Sequence, residues 1–265
     1  MISSLLKVLR ALLPAAALAF AACASAPPEP EVVELPEAEE LYQQGVALLE
    51  QRREVLGLID LTPYQDAIDK FQEVVDNYPY SEYAVFAELR IADAYYDQER
   101  WDEAFSYYRD FAELHPEHEK VPYTLYRTAL CHAAKSPSAE RDQSPTRAAL
   151  ATLDQLQTRY PNSPEAREAE PLWKELRTKL GTHVLGIGDF YLAREEYQSA
   201  AGRYRQVLDQ YPGLGLDADA LYKLGLCFTH MNREEDARRI FEVILENYED
   251  SEVARAAEDQ IPAAN

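Results

Sequence analysis

Apolar residues between positions 89 and 116 recur at helical spacing, and the same register returns without a gap 96 residues later. LRIADAYYDQERWDEAFSYYRDFAELHP (Leu89 to Pro116) aligns with LGIGDFYLAREEYQSAAGRYRQVLDQYP (Leu185 to Pro212). The alignment pairs Ala92 with Gly188, Trp101 with Tyr197, Ala104 with Ala200, Tyr108 with Tyr204 and Pro116 with Pro212. Each stretch holds two amphipathic runs whose large side chains fall at i, i+4 and i+7, so the pattern predicts paired helices, A then B. The same template picks out small residues in helix A at Gly45, Ala92, Ala129, Gly188 and Gly225. It also picks out helix-B alanines at Ala67, Ala104, Ala149, Ala200 and Ala237, each followed four residues on by Phe71, Tyr108, Leu153, Tyr204 or Phe241. Pro79, Pro116, Pro161 and Pro212 close the first four units, while the fifth ends in Tyr248-Glu249.

Successive helix-B alanines are 37, 45, 51 and 37 residues apart, somewhat longer than the spacing of a tetratricopeptide repeat. The surplus must sit in turns or lengthened helices. Small residues let the two helices of a pair approach closely, but no single pair buries its own apolar stripe, so neighbours must stack into a continuous core. The expected fold is therefore all-α, a right-handed superhelical solenoid of five tetratricopeptide-like hairpins. Residues 37–120 carry repeats one and two, and 121–265 carry repeats three to five with a C-terminal capping helix.

The first residues follow a different pattern. Lys7 and Arg10 precede the apolar run Ala11 to Ala22, which is too short to span a bilayer and has the layout of an export signal, residues 1–22. Ala19-Phe20-Ala21-Ala22-Cys23 resembles a bacterial lipobox, with Phe20 where Leu is usual. On that reading Cys23 carries the covalent lipid, and two or three acyl chains hold the protein stably on a membrane without spanning it. The alternative is an ordinary secretory signal cut nearby. By resemblance to such lipoproteins, Ala24 in place of Asp permits transfer to the outer membrane. Pro- and Glu-rich residues up to Pro36 complete a lipidated tether, 23–36.

Charge narrows the partners. The chain has a formal net charge of −21, and loss of residues 1–22 takes it to −23. Such a surface repels phosphate backbones, so nucleic acid is excluded as an expected partner. Cys131 and Cys227 stand at equivalent places in LYRTALC and LYKLGLC, too far apart along a solenoid for a disulfide, and read as small core residues.

Chemical motifs are sparse. Nucleophile elbows, phosphate-binding glycine loops and paired Cys-x-x-Cys ligands are absent from the sequence, so neither an enzyme nor a metal or cofactor is expected. His115-Pro116-Glu117-His118 falls in a turn between repeats, and Gly213-Leu214-Gly215 reads as a helix terminator. Repeat three is interrupted by Glu140-Arg141-Asp142-Gln143-Ser144-Pro145-Thr146, with Ser144 and Pro145 in the pattern of an N-cap and first-turn proline. Its Arg141-Asp142 pair either braces the loop or forms a contact surface.

Two stretches carry a family resemblance. ERDQSPTRAALATLDQLQTRYPNSPEAREAE (Glu140 to Glu170) and GIGDFYLAREEYQSAAGRYRQVLDQYP (Gly186 to Pro212) resemble the BamD family, lipoproteins of the outer-membrane β-barrel assembly machine. Leu153 stands where an aromatic is common in that family, and the fifth repeat lacks the closing proline. The resemblance implies a non-catalytic scaffold, anchored to the periplasmic face of the outer membrane. Its partners would be the BamA-like barrel-forming insertase, other lipoproteins of that machine and unfolded outer-membrane proteins. Repeats one and two would receive a substrate's C-terminal targeting segment in a groove showing Tyr42, Val46, Leu49, Phe86, Leu89 and Tyr96. The later repeats would bind the insertase through Arg203, with Arg141 and Asp142 as further contacts. Repeat lipoproteins for pilus-secretin assembly or cell-envelope division are the competing class, against which the repeat-three insertion argues.

Overall fold

The computed structural model describes residues 36–51, 54–55 and 59–261. The proposed signal, Cys23 and most of the tether lie outside the described residues. From Ala38 onward the chain forms one compact unit of helices that pack chiefly against their neighbours in sequence.

Repeat one pairs α1 (Ala38–Glu50) with α2 (Tyr64–Asn77), and repeat two pairs α3 (Glu82–Asp97) with α4 (Trp101–Leu114). Repeat three pairs α5 (Val121–Ala134) with α6 (Ser144–Arg159). The short α7 (Pro164–Glu168) leads into α8 (Glu170–Leu192), which pairs with α9 (Tyr197–Gln210) as repeat four. Repeat five is α10 (Asp217–His230) with α11 (Glu234–Asn247), and α12 (Glu252–Glu258) follows. The described residues thus form an all-α solenoid, with one departure. The long turn of repeat one holds a two-residue antiparallel ladder, β1 (Glu54–Val55) against β2 (Ile59–Asp60), in register Glu54 to Asp60. The surplus between Ala149 and Ala200 is taken up by α7 and by the 23 residues of α8.

Close approach within each pair follows from the small residues of helix A. A Cβ built on Gly45 would lie 2.6 Å from Phe71, on Gly188 2.5 Å from Tyr204 and on Gly225 2.5 Å from Phe241. Ala92 with Tyr108, and Ala129 with Leu153, occupy the same place in the other two repeats and are fully buried. Cys131 and Cys227 are free and buried in separate clusters.

Turns repeat as faithfully as helices. In repeats two, four and five helix A ends on a residue of positive φ: Glu99 (57°), Glu195 (62°) and Asn232 (57°). The next amide then reaches back to the carbonyl five residues earlier, Arg100 to Tyr95, Glu196 to Tyr191 and Arg233 to Phe228, which is the Schellman closure. Between repeats, Ser81, Ser163 and Ser251 each donate an amide to the tyrosine three residues earlier and cap the next helix with the hydroxyl.

The repeat-three insertion is braced differently from the sequence expectation. Ser144 is the first residue of α6, not its cap. Its amide and hydroxyl both donate to Asp142 Oδ1, at 3.3 and 2.9 Å, because an aspartate two residues back reaches the first turn as an Asx brace. The buried Gln143 supports the loop from within, donating to the carbonyls of Ser138 and Arg141 and accepting from the Thr146 hydroxyl.

Candidate functional site

The helix-A faces of repeats one to three enclose a cavity of about 240 Å³. Its wall is Tyr42 from α1, Phe86, Leu89, Arg90 and Asp93 from α3, Tyr123 from α5, and Lys120 just before it. Phe86 is partly open to solvent, Leu89 is nearly covered, and the Tyr42 ring packs against those of Phe71, Tyr83 and Phe86. The site therefore has an aromatic and aliphatic floor with two cations, Arg90 and Lys120, in a chain of net charge −21. Arg90 is aimed by donating from Nε to the Tyr42 hydroxyl at 3.3 Å, a bond that pushes its pKa further up.

Asp93 anchors the base of the cavity. Its Oδ1 accepts from the hydroxyls of Tyr108 and Tyr123, each at 2.6 Å. Arg127 donates from Nε to Tyr108 at 3.0 Å and brings Nη2 to 3.8 Å from Asp93 and 4.0 Å from Asp97. Its guanidinium lies 3.6 Å from the centre of the Tyr96 ring, a cation–π contact. Burial first, and then the charge of Asp93, push the Tyr108 and Tyr123 hydroxyls well above their ordinary pKa. Both phenols therefore stay protonated and act as donors. Helices α3, α4 and α5 are thus joined through one carboxylate, and a satisfied polar network of this kind fixes a single geometry.

The same node recurs at the 96-residue offset. Asp189 takes the place of Asp93 and accepts from the Tyr204 hydroxyl at 2.8 Å. Lys223, in the place of Arg127, pairs with Asp189 and with Asp219 at 2.9 Å each, and Asp219 stands where the earlier node has Tyr123.

Of the six expected groove residues, the structure gathers Tyr42, Phe86 and Leu89 around the cavity. Val46 and Leu49 pack on the core of repeats one and two, and Tyr96 lies between Arg127 and the Trp101 ring. Arg203 is half-buried on α9 and donates to Gln206 Oε1 at 3.0 Å, with no ion pair among the described residues. Arg141 and Asp142 are exposed and do not pair with each other; Asp142 holds Ser144 instead. His115 faces Glu88 at 2.8 Å rather than a second imidazole. Arg90, Asp93, Lys120, Tyr123 and Arg127 were not foreseen. The signal for part of this set was present, since Asp93 and Arg127 have acidic and basic counterparts 96 residues on at Asp189 and Lys223.

Burial pushes the Cys131 thiol up to about 12 and the Cys227 thiol to about 11, which leaves both as inert core groups. No helix among the described residues is long and apolar enough to cross a membrane.

The comparisons with known proteins converge. Residues 37–240 match the model of the YfiO family, described as "Outer membrane lipoprotein". The "Outer membrane protein assembly factor BamD" of Vibrio cholerae is 30% identical over 177 residues, covering 60% of this chain and 73% of that protein. The protein of the same name from Caulobacter vibrioides is 28% identical over 233 residues, covering 88% of this chain and 73% of the relative. The solved TPR2AB domain of yeast Sti1 in its pHSP90 complex overlaps with a TM-score of 0.43 at 13% identity, over 83% of this chain and 81% of that one. Helical pairs stacked around small-residue contacts, and a family match across most of them, lead to one assignment: the chain belongs to the YfiO family of outer membrane lipoproteins, which includes the assembly factors BamD.

Proposed function

We propose that this protein is a non-catalytic scaffold and substrate receptor in outer-membrane β-barrel assembly. In this reading Cys23 bears the lipid and holds the solenoid at the periplasmic face. The groove of repeats one to three receives the targeting segment of an unfolded outer-membrane protein, and the later repeats hold the periplasmic domains of the insertase. The observation that carries the reading is the cavity around Arg90: two cations set beside an aromatic floor in a strongly acidic chain. An extended segment ending in an aromatic residue and a free carboxylate matches that chemistry, with the ring on Tyr42 and Phe86 and the carboxylate on Arg90 or Lys120. Arg203 supports the partner role, because among the described residues its guanidinium donates to Gln206 without an ion pair and retains donors for a carboxylate on the insertase.

Recovery of the tagged full chain from detergent-solubilised membranes, followed by mass spectrometry, tests both halves. Wild type should bring down the barrel-forming insertase and nascent barrel proteins. Arg90→Glu should lose the barrel proteins and keep the insertase, while Arg203→Glu should do the reverse. Absence of the insertase from the wild-type sample would overturn the proposal.

A further inference from the structure

The groove around Arg90 has a second version in repeat four. A cavity of about 420 Å³ is walled by Thr182, Leu185, Gly186 and Asp189 of α8. These are the 96-residue equivalents of Phe86, Leu89, Arg90 and Asp93 in the first groove. His183, Ile187, Phe190, Ala139 and Glu140, the first residue of the insertion, complete the wall. Tertiary contacts fix the segment that leads into the insertion: His183 Nδ1 bonds the Ala139 carbonyl at 2.5 Å, and Lys179 donates to Ser136 at 3.1 Å.

The two grooves share a frame and differ in sign. Where the first has Arg90, the second has Gly186, and a Cβ added there would meet nothing within 4 Å. Where the first has Lys120 and Tyr123, the equivalents are Leu216 and Asp219. No lysine or arginine lines the second cavity, and two carboxylates do. Asp189 is already occupied by Tyr204 and Lys223. Glu140 is exposed on the insertion and faces no cation among the ion pairs of the described residues. Phe190 presents 56% of its surface to solvent, with Arg194 stacked over its ring at 4.6 Å.

We propose that the repeat-four groove docks an extended protein segment carrying a lysine or arginine next to an aliphatic side chain. The segment's cation meets Glu140, its aliphatic group lies on Leu185 and Phe190, and its backbone approaches α8 over Gly186, where no side chain intervenes. Charge decides the occupant. An acidic segment or a terminal carboxylate is repelled by Glu140, whereas a basic one is also steered by the net charge of −21. This gives the protein two peptide sites of opposite preference, and the second does not depend on what the first binds.

The test is fluorescence anisotropy on the full chain in detergent, with a short labelled peptide alternating valine and lysine. Matched peptides replace lysine by glutamate or valine by serine. Binding of the valine–lysine peptide should fall by about tenfold or more, worth ~1.4 kcal/mol or more, in Phe190→Ala, in Glu140→Gln and in Gly186→Arg. The last of these installs the side chain of the first groove. Glu246→Gln, the same charge change on the exposed face of α11, should leave binding unchanged. Glu140→Gln alters an exposed loop residue, so it reads the site even if a helix variant loses its melt. Equal losses in Glu140→Gln and Glu246→Gln, or equal binding of the serine–lysine peptide, would show attraction by bulk charge alone and overturn the proposal. Preference for the glutamate peptide would overturn it as well.

Discussion

Gly225 leaves room for the Phe241 ring: a Cβ there would lie 2.5 Å from Cε1 of that ring. Gly225→Ala should therefore cost about 1–3 kcal/mol by overpacking, read as a lower urea midpoint. Repeat three shows the compensating pair, Ala129 against Leu153, so adding Phe241→Leu to Gly225→Ala should cost less than the two changes summed. Strict additivity would mean that the glycine is not there for the ring. The buried thiols make a second residue-scale prediction. Burial raises Cys131 from the ordinary 9.0 to about 12. A group whose folded pKa is raised contributes stability that is complete below the unfolded pKa and drains away as pH climbs towards the folded one. Urea midpoints should hold up to pH 9 and decline above it, and Cys131→Ala should decline less steeply over the same range. Parallel slopes would sink the idea. Cys131 and Cys227 should also resist alkylation at pH 8 until the chain unfolds.

Among the described residues, elements are closed by turns that place a non-glycine residue in the left-handed region at Glu99, Glu195 and Asn232. Asparagine tolerates that conformation, but glutamate there is strained by about 1–2 kcal/mol. Glu195→Gly should raise stability by about 0.5–1 kcal/mol once the entropy of glycine is subtracted, detected as a higher melting temperature, and Asn232→Gly should gain less. Equal gains at both sites would argue against strain as the cause. Most of this level was legible in the sequence, because the pairing of Gly45 with Phe71 or Gly188 with Tyr204 is written in residue size and spacing. The β1–β2 ladder was not, since two residues on each side carry no periodicity. Ser144 misled because a serine before proline is the usual cap pattern, and only the three-dimensional loop shows Asp142 doing that work. The polar half of the groove was hidden for a related reason. Asp93, Arg90 and Arg127 look like ordinary surface charges until α3, α4 and α5 bring them to one place.

At the scale of the whole molecule, stability should be distributed rather than pooled. The buried residues fall into separate clusters: one holds repeat one with α3, and another holds repeats four and five with α12. Between them lie a cluster centred on repeat three and a small one around Ala92, Ala104, Tyr108 and Cys131. A solenoid of this kind behaves as a row of units coupled to their neighbours, so local opening need not spread along its length. The nodes at Asp93 and Asp189 couple repeat two to three and repeat four to five, while repeats three and four meet through simpler contacts, among them Asp154 accepting from Trp173 at 2.8 Å. Gly225→Ala should therefore speed amide hydrogen exchange in α8 to α12 and leave Phe71 and Val74, in the core of repeat one, with wild-type protection. Lys223→Met should do the same by removing the cation from the second node. A uniform loss of protection from α1 to α12 in either variant would show that the solenoid opens as a single cooperative block.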